Sequence, residues 1–70
     1  MFKYANQLIK DDDVRTLETY TDKEEALRRG AKIRAEIPSE QGVISCVYAD
    51  FDEDNNMIGN SYRLFHTWVD

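Results

Sequence analysis

Three aspartates spaced two residues apart, Asp50, Asp52 and Asp54, resemble the start of a calcium-binding loop. Alternating carboxylates of this kind bring oxygen ligands around a hard cation. The pattern then departs from such a loop, because Asn55 stands where the invariant glycine belongs and Ser61 where the bidentate glutamate belongs. We therefore predict a solvated hairpin tip at this position, with no metal ion and no other cofactor.

Cys46 and His66, the one cysteine and the one histidine, invite comparison with a thiolate–imidazole pair. The hairpin predicted below places Cys46 opposite Tyr62 or Arg63, three or four residues from His66. At about 3.3 Å per residue this is roughly 10–13 Å along the strand, which is beyond the reach of a general base. We therefore predict that Cys46 is a small buried apolar residue. Because no other nucleophile with a base is evident, we expect no enzymatic activity and no catalytic residues.

The basic residues after position 22 are a second candidate site. Glu24 and Glu25 precede Arg28 and Arg29 by four residues each, which is the favoured order for ion pairs along a helix. We interpret the group as a solvated helix face that is partly neutralised, rather than as an anion-binding site. The group consists of Lys23, Arg28, Arg29, Lys32 and Arg34.

Length, charge and cysteine content narrow the class of protein. Seventy residues fit a single small α+β domain over 1–70. A net charge of −5 argues against direct binding to nucleic-acid phosphates. Aromatic residues beside Arg63 resemble the base-stacking surface of some RNA-binding sheets, but the glycine-rich motif of those domains is missing. A lone thiol fits the reducing cytoplasm. No apolar run is long enough for a membrane span. No small-molecule substrate is evident from the sequence.

The helix has the clearest signal among the predicted elements. Thr21 followed by Glu24 forms a capping-box pattern, and Pro38 predicts that the helix ends at about Ile37. Gly30 falls on the buried face, where it costs about 1 kcal/mol in helix propensity relative to alanine. We expect that the helix approaches the sheet closely there.

The remaining segments predict four strands. Segments 2–9 and 14–21 are rich in strand-forming residues and are separated by Asp11–Asp13. Segments 42–52 and 57–69, joined by residues 53–56, form a predicted hairpin in which Asn55 or Asn56 takes a left-handed turn position. The order is ββαββ, which indicates an α+β fold of two layers, with a four-stranded, mostly antiparallel sheet and one helix packed on one face.

The faces of this hairpin carry the functional prediction. A loop of two or four residues pairs Phe51 with Ile58 and Val47 with Tyr62, whereas a loop of three shifts the register by one and regroups both faces. In the first register, the face assigned to the helix holds Val43, Val47, Phe51, Ile58, Tyr62, Leu64 and Trp68. The opposite, open face is also largely apolar, and its residues are the candidate interface: Ile44, Cys46, Tyr48, Arg63, Phe65, Thr67 and Val69.

An apolar open face predicts a non-enzymatic cytoplasmic protein that acts by protein–protein association, with a homodimer as the simplest form. The alternative prediction is an acidic decoy that mimics nucleic acid and occupies a nucleic-acid-binding partner. In that alternative, the carboxylates of Asp11–Asp13, Glu18, Asp50 and Asp52–Asp54 imitate phosphates.

Overall fold

The computed structural model describes residues 1–69. Its elements follow in the order β1 (Phe2–Lys10), β2 (Asp13–Tyr20), α1 (Lys23–Glu36), a 3-10 helix (Ser39–Gln41), β3 (Val43–Phe51) and β4 (Met57–Trp68). The strands form one sheet in the order β2-β1-β3-β4, and each neighbouring pair is antiparallel. The helix packs against the sheet, so the predicted ββαββ α+β fold is confirmed. No helix within residues 1–69 is long and apolar enough to cross a membrane.

Helix α1 begins one residue later than the sequence pattern predicted. Asp22, not Thr21, is the N-cap, and its carboxylate accepts a hydrogen bond from the Glu25 amide at 3.0 Å. Aspartate caps a helix as well as threonine does, so the predicted Thr21–Glu24 capping box was wrong by one position. The other end matches the prediction, because Ile37 is extended and Pro38 follows it.

The helix packs on one face of the sheet, here called the helix face, and Gly30 lies at a point of close approach. A Cβ atom at Gly30 would lie within contact distance of the Trp68 indole and 2.9 Å from Asn6 Oδ1. Asn6 Nδ2 also donates a hydrogen bond of 2.9 Å to the Ala26 carbonyl, which ties β1 to the first half of the helix. The predicted close approach at Gly30 is therefore confirmed.

The other face of the sheet, here called the second face, has its own buried cluster. Ala5, Val47, Ala49 and Phe51 are almost fully buried there, and Met57 packs against them. Within the described chain no helix covers this cluster. Instead, the tip of the β3–β4 hairpin is hydrogen-bonded back to this face. Lys3, whose register partner is Ala49, donates a hydrogen bond of 3.1 Å from Nζ to Asn55 Oδ1 at the hairpin tip.

The hairpin loop is longer than any of the three predicted lengths. It contains the five residues between β3 and β4, and Phe51 pairs with Met57 instead of Ile58. Asp52 Oδ1 closes the loop by accepting hydrogen bonds from the amides of Asp54 (2.9 Å) and Asn56 (3.0 Å). Asn55 has a φ of 62°, as expected for the left-handed turn position.

The assignment of the two sheet faces was wrong. The predicted groups are mostly correct, but the helix covers the other one, so Val47 and Leu64 lie on the second face while Ile44 and Cys46 are fully buried under the helix. An irregularity contributes to this result. Cys46 pairs with His66 and Val47 with Leu64, which leaves Phe65 as an extra residue of β4.

Because of this extra residue, the side chains after Phe65 point to the opposite face from the one that regular alternation predicts. Trp68 pairs with Ile44 on the helix face, whereas the Thr67 hydroxyl lies 3.1 Å from the Ser45 hydroxyl on the second face. Val69 follows the strand and is exposed. The seven residues of the predicted open face are therefore separated. Ile44 and Cys46 are buried under the helix, Tyr48, Arg63 and Phe65 lie on an uncovered part of the helix face, Thr67 lies on the second face, and Val69 lies beyond the strand. Both faces are apolar, so polarity alone did not distinguish them.

Candidate binding surfaces

The helix leaves one end of the helix face uncovered, and a row of aromatic rings occupies it. The centroid separations along this row are 5.6 Å from Phe2 to Tyr48, 4.6 Å from Tyr48 to Tyr4, and 5.6 Å from Tyr4 to Phe65. Phe2 is well exposed and the other three rings are half-buried. We call these four residues the aromatic row; it brings together Tyr48 and Phe65 from the candidate interface.

Two cations lie at one end of the aromatic row. Lys23 Nζ is 4.8 Å from the centroid of the Phe65 ring, and the Arg63 guanidinium carbon is 5.2 Å from it. Both distances are within the range of cation–π attraction. Both side chains are exposed, and neither forms a salt bridge with another residue of the described chain. The row therefore has a cationic end at Phe65.

The second face carries an apolar groove of about 200 Å³. Tyr62 and Leu64 from β4 and Val14 from β2 form its rim, and each of them is more than half exposed. Its floor includes the buried polar side chains of Gln7 and Ser45. We call this feature the groove; its lining consists of Gln7, Ile9, Val14, Ser45, Val47, Met57, Tyr62 and Leu64.

An open cleft of about 520 Å³ continues the groove towards the hairpin tip, and the two share Gln7, Val14 and Met57. The far side of the cleft is polar, with Arg15 and Thr16 of β2 opposite residues 54–56 of the hairpin. Arg15 and Asp54 are the charged residues of its lining, and they have opposite signs. The cleft thus adds one cation and one anion to the margin of the apolar groove.

Cys46 and His66 are closer together than the sequence predicted. They are direct partners across β3 and β4, because the extra residue Phe65 changes the register. No hydrogen bond joins them within the described structure; His66 is exposed and its ring packs edge-on against Trp68 at 4.6 Å. Burial raises the pKa of the Cys46 thiol, which the positive charge of Lys23 opposes. This is the environment of an unreactive thiol rather than of a nucleophile.

Some of the acidic and basic side chains form hydrogen bonds or ion pairs within the fold. Arg29 donates to Glu18 through Nε (3.3 Å) and Nη2 (3.2 Å), and the Tyr20 hydroxyl donates to the same carboxylate. Arg34 is buried and donates to three carbonyl groups. With Arg29 paired to Glu18 and Arg34 buried, the predicted basic helix face loses these two members. Within residues 1–69, no group of three or more His, Cys, Asp or Glu side chains is arranged to hold a metal ion.

Two features of these surfaces were missed by the sequence analysis. The groove depends on Ile9 and Val14 of the N-terminal strands, which the face analysis of the hairpin did not include. The aromatic row depends on Phe2 and Tyr4, whose i,i+2 spacing was a usable signal for one shared face. A scan of protein-family models, a search of curated proteins and a search of solved structures each gave no match to this chain.

Proposed function

We propose that this protein is not an enzyme and acts by protein–protein association, as a homodimer that joins two copies through the groove. The observation that carries the proposal is the apolar rim of Tyr62, Leu64 and Val14, exposed by 57%, 54% and 52% around a recess whose floor is buried. Apolar side chains grouped in this way on a small protein mark an interaction surface.

A second copy fits this surface for two reasons. A two-fold dimer needs one self-complementary patch, in which a residue of each copy meets a different residue of the other. Arg15 and Asp54 lie at the margin of the same cleft, so a two-fold axis through the groove lets Arg15 of one copy approach Asp54 of the other. Burial of the groove also adds apolar area to a chain of 70 residues, which has little core of its own.

The mass of the protein in solution tests this proposal. The wild-type protein should sediment with twice the monomer mass at micromolar concentration, and Leu64→Glu should halve that mass while the circular dichroism spectrum is unchanged. Phe2→Glu is the matched control, because Phe2 is similarly exposed but lies in the aromatic row. A wild-type monomer at high micromolar concentration would refute the homodimer. A mass that is halved by Phe2→Glu and not by Leu64→Glu would instead place the interface on the helix face.

The salt dependence of the complex separates this proposal from the acidic decoy. An apolar interface should keep its affinity as salt increases, whereas a complex that depends on carboxylates should weaken steeply. Several of the decoy's carboxylates already have partners within the fold: Glu18 binds Arg29, and Asp52 closes the hairpin loop. This favours the homodimer. The cytoplasmic location belongs to the same proposal, and the buried single thiol of Cys46 supports it.

A further inference from the structure

We propose that the aromatic row is a second binding site, separate from the groove, and that it binds a proline-rich peptide segment flanked by acidic residues. The row lies on the helix face beyond the first turn of α1, whereas the groove lies on the opposite face of the sheet. Phe2, at one end of the row, is 62% exposed. This inference therefore does not depend on the homodimer.

The chemistry of the row suits a polyproline II segment. Such a segment is apolar, is already ordered before it binds, and docks on surfaces lined with aromatic rings. Its carbonyl groups are not used by internal hydrogen bonds, and the hydroxyls of Tyr4 and Tyr48 are donors at the centre of the row. A six-residue segment spans roughly 19 Å at about 3.1 Å per residue. This length covers four rings whose neighbouring centroids are 4.6 to 5.6 Å apart.

The charges at the two ends of the aromatic row indicate which charged residues should flank the proline-rich segment of the ligand. Lys23 and Arg63 lie over Phe65 without a salt bridge to any other described residue, so acidic residues of a ligand would complement them. At the other end, the register partner of Phe2 is Asp50, whose carboxylate pairs with the Met1 ammonium, so these two charges offset each other there. A ligand with an uncharged body and one acidic end matches this distribution.

The same charges argue against single-stranded nucleic acid as the ligand. A nucleic acid places a phosphate at every step, but the two cations of the row are both at Phe65, and at the Phe2 end the Met1 ammonium is already paired with Asp50. The protein as a whole carries a charge of −5, which repels a polyanion further. A proline-rich peptide needs positive charge at one end alone.

An NMR titration of the labelled full chain tests this inference. The probe is a blocked peptide of six prolines followed by two aspartates, compared with a peptide whose prolines are replaced by glycine and serine and with one that ends in two lysines. We expect shifts in the amides of the aromatic row, and the aspartate peptide should bind more tightly than both comparison peptides. Phe2→Ala should weaken this binding by about tenfold, the loss of about 1.4 kcal/mol. Arg63→Glu should weaken the aspartate peptide and not the lysine peptide.

Three results would overturn the inference. These are equal binding of the glycine–serine peptide, shifts that appear at the groove instead of the row, and preferential binding of an oligothymidylate over the proline peptides. Both substituted side chains are exposed, so circular dichroism should show that the variants remain folded. Sedimentation of the same samples keeps the two proposals apart, because peptide binding to a monomer would refute the homodimer and leave this site standing.

Discussion

Gly30 lies directly against the indole ring of Trp68, with no space for a side chain between the helix and the end of β4. The contact fixes how closely α1 approaches the sheet, and Asn6 Oδ1 lies at the same point. It also explains why the helix tolerates a glycine in its middle turns, where alanine would favour the helix by about 1 kcal/mol.

The first prediction concerns this contact. Gly30→Leu should lower the free energy of unfolding by roughly 1–3 kcal/mol, because the new side chain overpacks the space in front of Trp68. Urea unfolding followed by circular dichroism measures the change. Ala31→Leu is the control, since Ala31 is the next residue of the helix and is exposed; it should change stability by less than about 0.5 kcal/mol. Equal effects of the two substitutions would contradict the contact.

The second prediction concerns Arg34, which is 6% exposed and holds three parts of the chain together. Its guanidinium donates to the carbonyls of Gly42 (2.7 Å), Ile37 (2.9 Å) and Trp68 (3.3 Å). Arg34→Met should cost roughly 2–4 kcal/mol, because it leaves buried carbonyl acceptors without donors. Thermal unfolding measures the loss, and Arg28→Met on the exposed side of the helix serves as the control. A stable Arg34→Met variant would show that water replaces the donor.

The third prediction compares two glycines with positive φ. Gly42 has a φ of 133° and a Cβ there would collide with the backbone carbonyl of Ile9, whereas Gly59 has a φ of 74° and open space around it. Gly59→Ala should cost about 1–2 kcal/mol, from the left-handed conformation alone. Gly42→Ala should cost more, since the backbone of β1 must also move. Chemical denaturation of both variants measures the two losses in unfolding free energy. A larger loss for Gly59→Ala would contradict the prediction and would mean that the chain at Gly42 moves easily.

The fourth prediction is a pH dependence at Glu18. Hydrogen bonds from Arg29 and Tyr20 hold the pKa of the Glu18 carboxyl below its usual value of 4.5. A lowered pKa in the folded state means that the contribution to stability is complete above about pH 4.5 and is lost as the pH falls through the folded value. Both ion-pair partners are more than one-third exposed, so the contribution should stay below about 1 kcal/mol.

Glu18→Gln provides the measurement for that pH dependence. The difference in unfolding free energy between wild type and variant should be constant near neutral pH and should shrink as the solution is acidified. Tyr20 gives an independent check, because burial and the hydrogen bond to Glu18 raise its pKa above the usual 10.0. Alkaline titration of the wild type should therefore show a tyrosine that ionises late, and Glu18→Gln should bring that ionisation to lower pH.

The order of elements was predictable from local signals because each signal belongs to a few neighbouring residues. Pro38 ends the helix wherever the helix packs, and Asn55 adopts a left-handed conformation because its short amide side chain tolerates it. The two groups of hairpin residues were also largely predictable, since alternation along a strand depends on local geometry.

The choice of face was not predictable, because it depends on residues far apart in the sequence. The helix covers the side that presents Asn6 to the Ala26 carbonyl and Trp68 to Gly30, and both contacts are between distant segments. The extra residue Phe65 has no signature in composition, yet it moves Trp68 to the helix face. Arg34 was wrongly predicted to lie on a solvated helix face, because the carbonyl groups that bind it come from parts of the chain after the helix.

The pairing of β1 with β3 has a consequence for synthesis of the chain. The buried cluster of the second face takes Ala5 from β1 and Val47, Ala49 and Phe51 from β3, and the whole of β2 and α1 lies between them in sequence. A nascent chain that has released its first hairpin and its helix therefore still lacks β3, the strand that pairs with the second edge of β1. Until residue 51 leaves the ribosome, Ala5 lacks its apolar partners from β3, and native folding requires a contact between distant parts of the chain.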